Sequence, residues 1–132
     1  MKGFVDSIDR LAADNRDFRR VLYTGRNIQL VLMSLASNEA LGEAMHESHD
    51  QFFRVERGAG EVWLDGIRTT LASGDAIIVP AGARYNIINN SEDAMQLYGL
   101  FAPPQHRDGV VAITKDCAET IDEPYDGQNS EY

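Results

Sequence analysis

The chain has 132 residues, 43% of them hydrophobic and 25% charged, enough for one domain with a real core. Its single cysteine, Cys117, rules out an internal disulfide and a cysteine metal cluster. The formal net charge is −9, with no basic patch to meet a phosphate backbone, and no run is long and apolar enough to span a membrane. Nucleic acid and membrane are therefore excluded as partners. The N-terminus is too polar for the apolar core of a signal peptide, so the expected address is cytoplasmic.

In chain order, Phe4, Val5, Ile8, Leu11 and Ala12 fall on one helical face, which predicts a short amphipathic helix over residues 4–14. Ser7 or Asp6 is placed to cap it and Asn15 to end it. The period then changes. "FRRVLY" and "IQLVLMSLA" read as strands joined by the turn "TGRN". "QFFRV" and "EVWL" flank "ERGAG", and "EVWL" and "IRTTL" flank the two-residue hairpin signal "DG". "AIIV", "YNII" and "MQLYGLF" follow, separated by Gly-, Pro- and Asn-rich turns. About nine short strands at this spacing indicate a sandwich or small barrel. "LVLMSLA" and "AIIV" are apolar at nearly every position, which suggests sheets covered on both faces. Such a barrel can hold one small ligand in its mouth. "PPQHRDG", residues 103–109, reads as a loop. Residues 116–132 carry six acidic side chains and no Lys or Arg, and read as an acidic flexible tail after a domain of residues 1–115. Without that tail the domain is nearly balanced, with 12 basic and 15 acidic residues.

Two stretches hold the residue types that chemistry needs. "HESHDQFFRVERG" places His46, His49 and Gln51 ahead of an apolar strand, and "GDAIIVPAGARYNIIN" places Tyr85 after a Pro-Gly turn. The second stretch resembles the second motif of the cupin superfamily, G-x5-P-x-G-x2-H-x3-N, with Gly74, Pro80, Gly82 and Asn89 in place. The first resembles the end of that superfamily's first motif, with Gly58 as its terminal glycine. The similarity to small single-domain bacterial cupins extends over about residues 5 to 115. It implies an all-β fold, a small cupin-type β-barrel (a double-stranded β-helix, or jelly roll) with a short N-terminal helix. It also implies a homodimer.

In most cupins three histidines and one glutamate hold a divalent metal inside the barrel. Set on those motifs, this chain has Ala44 for the first histidine, keeps His46, has Gln51 for the glutamate and Tyr85 for the third histidine. A carboxamide is a weak donor, and a phenol binds well only as phenolate. The cofactor expectation is therefore none, or one divalent ion (Fe, Mn, Ni or Zn) on His46 and Gln51 with help from His49.

The favoured reading is an enzyme acting on a small molecule by acid–base chemistry of the isomerase, cyclase or lyase type. His46 serves as base, Tyr85 as acid or oxyanion donor, and Gln51 orients the substrate. Met33, Phe53, Val55, Ile87 and His106 are expected to shape the substrate pocket. The alternatives are a metal-dependent cupin oxygenase, isomerase or decarboxylase, and a cupin that only binds a small ligand.

Overall fold

The computed structural model describes residues 2–120 and 124–130. Helix α1 (Ile8–Asp14) is followed by β1 (Arg19–Thr24), β2 (Gln29–Leu35), β3 (Ala44–Met45), β4 (Asp50–Arg57) and β5 (Ala59–Leu64). Then come β6 (Ile67–Ala72), β7 (Ala76–Val79), β8 (Arg84–Ile88), β9 (Met95–Ala102), β10 (Val111–Ala112) and α2 (Lys115–Thr120). Two antiparallel sheets enclose the core. One runs β10-β1-β2-β9-β4-β7 and the other β3-β8-β5-β6. The mostly-β fold with a short N-terminal helix is the one expected. The two-residue strands β3 and β10 are too short to leave a pattern in the sequence.

Alternation sets the inner face. Gln51, Phe53 and Val55 point inward from β4, and Tyr85 and Ile87 from β8. Val31, Met33 and Leu35 line the interior from β2, opposite Gly99, Leu97 and Met95 of β9. The apolar run of β2 is buried on its other face too, because α1 packs across the outside of β2, β4 and β9. Gln96 Nε2 donates to Ser34 Oγ there, which keeps two buried polar groups paired.

Three expectations need correction. The helix starts at Ile8, not residue 4: Asp6 accepts from the Ser7 backbone N–H at 2.7 Å, and Val5 is 94% exposed and packs on nothing. Phe4 instead tilts against Tyr23, whose hydroxyl accepts from the Gly3 N–H. The run "AIIV" is not covered on both faces. Strand β7 is a sheet edge, so Ile77 and Val79 face the core while Ile78 is exposed. Within residues 116–132, α2 covers the first part. The stretch 124–130 is hydrogen-bonded to the barrel, with Ser130 N donating to Thr24 O and Ser130 Oγ to Asp108 Oδ1. Residues 121–123 and 131–132 lie outside the described residues. No described helix is long and apolar enough to cross a membrane.

The turn residues act through the backbone. A Cβ on Gly58 (φ +97°) would stand 2.8 Å from the Ala94 carbonyl oxygen, so only glycine fits the β4–β5 turn. Asn89 is fully buried. Its Nδ2 donates to the carbonyls of Leu35, Ala36 and Asp93 at 2.8–3.0 Å, and its Oδ1 accepts from Ser91 N and Oγ. It ties the end of β2 to the β8–β9 loop. Asn89→Ala is expected to destabilise the fold by about 3 kcal/mol, because buried carbonyls lose their donor. A denaturant midpoint shift at unchanged m-value would show it.

Candidate functional site

All three histidines of the chain gather at one end of the barrel. His46 follows β3, and its carbonyl accepts from the Gly82 N–H at 2.8 Å, which fixes the peptide against the Pro80–Gly82 turn. A turn at Glu47–Ser48 brings His49 back beside it, with ring centroids 5.8 Å apart. His46 also lies 6.4 Å from the ring of Tyr85. Ala44 stands directly across the β3–β8 ladder from Tyr85, so a methyl faces the phenol. His106 comes from the 103–109 loop and stacks obliquely on Phe101 at 5.5 Å. Phe101 and Tyr85 both pack on Phe53. Met33, Phe53, Val55 and Ile87 form the apolar floor as part of the main core.

The loop is held over this end by a buried amide. Gln29, fully buried, accepts at Oε1 from the N–H groups of Gln105 and His106 and donates from Nε2 to the His106 carbonyl at 2.7 Å. From outside, Tyr125 N donates to Gln105 O, and His106 bridges Pro124. Gln105 then reaches inward. Its Oε1 accepts from Gln51 Nε2 at 2.9 Å, and its Nε2 lies 3.4 Å from His46 Nε2. With the amides so oriented, Gln105 donates and His46 Nε2 accepts, which leaves the neutral ring protonated at Nδ1. His49 Nε2 lies 3.3 Å from the Pro104 carbonyl.

One inward residue was missed from the sequence. Arg19 pairs with Met33 across β1–β2 and shares its inner face. Its Nε is buried with no hydrogen-bond partner, and it pairs with no carboxylate among the described residues. Gln51 Oε1 is likewise buried without a partner at hydrogen-bond distance. No acidic side chain is buried among the described residues. Alternation offered the signal: Val21 is a core residue on β1, so Arg19, two positions before it, faces inward.

Electrostatics follows from this composition. Burial pushes Tyr85 up to about 12, against the opposing pull of the nearby Gln51 carboxamide and the Arg19 charge. Burial lowers His46, and His49 adds to the effect. Burial pushes His106 down to about 3, helped by Arg19, His46 and His49. Burial also lowers Arg19, with Tyr85 acting against it. At neutral pH the interior thus holds His46 and His106 as neutral imidazoles, Tyr85 as a neutral phenol and the Arg19 guanidinium.

That set does not fit a divalent metal. Among the described residues no three His, Cys, Asp or Glu side chains are grouped to hold an ion. The carboxylate position is the amide Gln51, Tyr85 resists becoming phenolate, and Arg19 places a positive charge nearby. The expectation of an ion on His46, Gln51 and His49 therefore finds no matching donor set. Surface depressions lie elsewhere: one of about 440 Å³ between the sheet edges at Ile67 and Ile78, another of about 320 Å³ outside β8 beside Trp63 and Arg84.

Comparison with known proteins agrees with the fold. The cupin domain model, Cupin_2, matches residues 31–101, and the chain belongs to this family. It is 38% identical over 120 residues to the uncharacterized protein YrkC of Bacillus subtilis, an alignment spanning 86% of this chain and 64% of YrkC. The chain thus spans less than two thirds of that relative's length. The crystal structure of BH2720 from Bacillus halodurans superposes with a TM-score of 0.89 at 36% identity, over 91% of this chain and 96% of that one. KdgF from Halomonas sp. superposes with a TM-score of 0.61 at 26% identity, over 66% of this chain and 78% of its own.

A pH effect on stability follows. His46 and His106 bind protons less readily folded than unfolded, so both contribute stability that is full above about pH 6.5 and is lost as pH falls. Between pH 6.5 and 5 the unfolding free energy should drop with a slope approaching about 1.4 kcal/mol per pH unit for each proton withheld. His106→Gln should flatten that slope in urea titrations at stepped pH.

Proposed function

Taking the cupin barrel as premise, we propose that this chain is a small-molecule enzyme whose chemistry is metal-free proton transfer inside the barrel. His46 is the base and Tyr85 the oxyanion donor. The observation that carries this reading is the meeting of the two rings at one end of the barrel, 6.4 Å apart, and the directions of their pKa shifts agree with it. His46, lowered by burial, is neutral with Nε2 unprotonated at neutral pH, and that atom becomes available as a base once a substrate displaces the Gln105 amide from it. Tyr85, pushed up to about 12, keeps its O–H to donate. Two neighbouring groups with pKa values driven apart are the pattern of an acid–base pair.

The step this supports begins at a carbon next to a carbonyl. His46 Nε2 takes the proton from that carbon. The electron pair moves onto the carbonyl oxygen, where the Tyr85 O–H hydrogen-bonds the developing charge. Where that carbon bears a hydroxyl, passage of the hydroxyl proton to the oxyanion and return of the His46 proton to the former carbonyl carbon give an isomer. Expulsion of a β-substituent gives an elimination, with the proton leaving on the departing group. No oxidant or reductant enters. Gln51 orients the substrate, and Phe53 and Phe101 keep the surroundings apolar, which strengthens each charge–dipole contact.

Exchange of carbon-bound hydrogen tests this without knowing the substrate. A mixture of small hydroxy and keto acids and sugar derivatives is incubated with the protein in D2O and read by mass spectrometry. At least one compound should gain deuterium or convert to an isomer or dehydrated product. His46→Ala and Tyr85→Phe should each slow that change by about 100-fold or more. Turnover unaffected by both variants would refute the assignment.

A further inference from the structure

Arg19 and Gln51 leave two buried atoms of opposite character unpartnered, a cationic donor and a neutral acceptor. Folded proteins rarely leave such groups unmatched. Both side chains act on the same phenol, Arg19 through its charge and Gln51 through its carboxamide, so both flank Tyr85. Nothing in the barrel requires the cation. Arg19 sits on β1 among Met33, Val21 and Phe18, where an apolar side chain would pack without loss of charge solvation. The guanidinium, part-buried with its Nε enclosed, has no counter-charge from any described carboxylate, and burial favours the neutral forms of His46 and His106.

We infer that the barrel interior takes a small hydroxylated carboxylate, its carboxylate held by Arg19 and its hydroxyl donating to Gln51 Oε1. This rests on the acid–base reading of the same interior and names the class of substrate for it. A planar guanidinium offers paired donors matched to a carboxylate, and the enclosed site makes each charge-assisted bond stronger than in water. The hydroxyl fills the one acceptor that lacks a donor. The polar remainder of the ligand takes the place of the Gln105 carboxamide, which bridges Gln51 and His46. The carbon between carboxylate and hydroxyl then lies beside Tyr85 and within reach of His46. The larger surface depression offers no such set, being lined by aliphatic and threonine side chains with one acid, Asp75, and no cation, and in the smaller one the cation Arg84 already has a carboxylate, Glu43 at 3.4 Å.

The test reads the ring resonances of His46, His49 and His106 by NMR during titration with L-lactate and malate, with 1,2-propanediol and glycerol as uncharged controls. The hydroxy acids should shift the rings saturably and the diols should not. Arg19→Met should weaken that binding about tenfold or more, while Tyr85→Phe keeps it. The ligand-free Arg19→Met protein should melt no lower than the parent, because the variant removes a part-buried charge that has no carboxylate partner among the described residues. If Arg19→Met does not fold, Arg19→Gln takes its place, and failure of both assigns Arg19 to the fold and overturns the inference. Equal binding by parent and variant also overturns it. Ring shifts from the diols alone would remove the anion while leaving the interior a ligand site. No shift from any probe would remove both.

Discussion

A part-buried guanidinium on the inner face of the barrel, its Nε enclosed and without a partner, is the constraint on which the rest of this interior turns. Arg19 brings a positive charge onto the inner face of β1, and no buried acid answers it. A charge so placed is costly unless something supplies its opposite. Its neighbours are consistent with that condition. The imidazoles beside it are held neutral, His106 most strongly. Tyr85 remains a phenol, because burial outweighs the help that Arg19 gives its ionised form. A divalent cation set among these groups would meet a like charge and lack a carboxylate. An organic anion would meet the reverse.

The barrel and its chemistry are built from different residues of the same two motifs. Gly58, Gly82 and Asn89 serve the backbone: one permits a close approach to Ala94, one anchors the peptide of His46, and one ties three carbonyls. Those requirements do not change with the reaction, so the turns match the family pattern closely. Ala44, Gln51 and Tyr85 face the interior, where donor type decides function, and there the pattern has changed. Ala44 and Tyr85 differ as a pair, since they stand opposite each other across one ladder. A small side chain faces a large one, which keeps the interior filled.

Much of this was legible in the sequence. Alternation from Gln51 gave Phe53 and Val55, and alternation from Tyr85 gave Ile87, all three on the inner face. The same alternation from Val21 would have given Arg19, but "FRRVLY" reads as a strand with two solvent-facing arginines unless the barrel is already assumed. Gln29 and Gln105 were hidden for another reason. Their roles depend on a loop that folds back over the barrel end, and no periodicity encodes where a loop lies. "AIIV" misled because an apolar run shows that a strand can be covered, not that a neighbour exists to cover it. Val5 misled similarly: one helical period fitted it, but Asp6 takes the Ser7 N–H and the helix begins too late to include it.

Metal content of untagged protein, purified without chelator and then offered Zn²⁺, Mn²⁺ or Fe²⁺, tests the central claim most directly. An interior that carries a guanidinium, neutral imidazoles and no carboxylate should retain far less than one ion per chain by plasma mass spectrometry. Near-stoichiometric metal that disappears in His46→Ala would contradict it, and would place a cation where Arg19 is held here to require an anion.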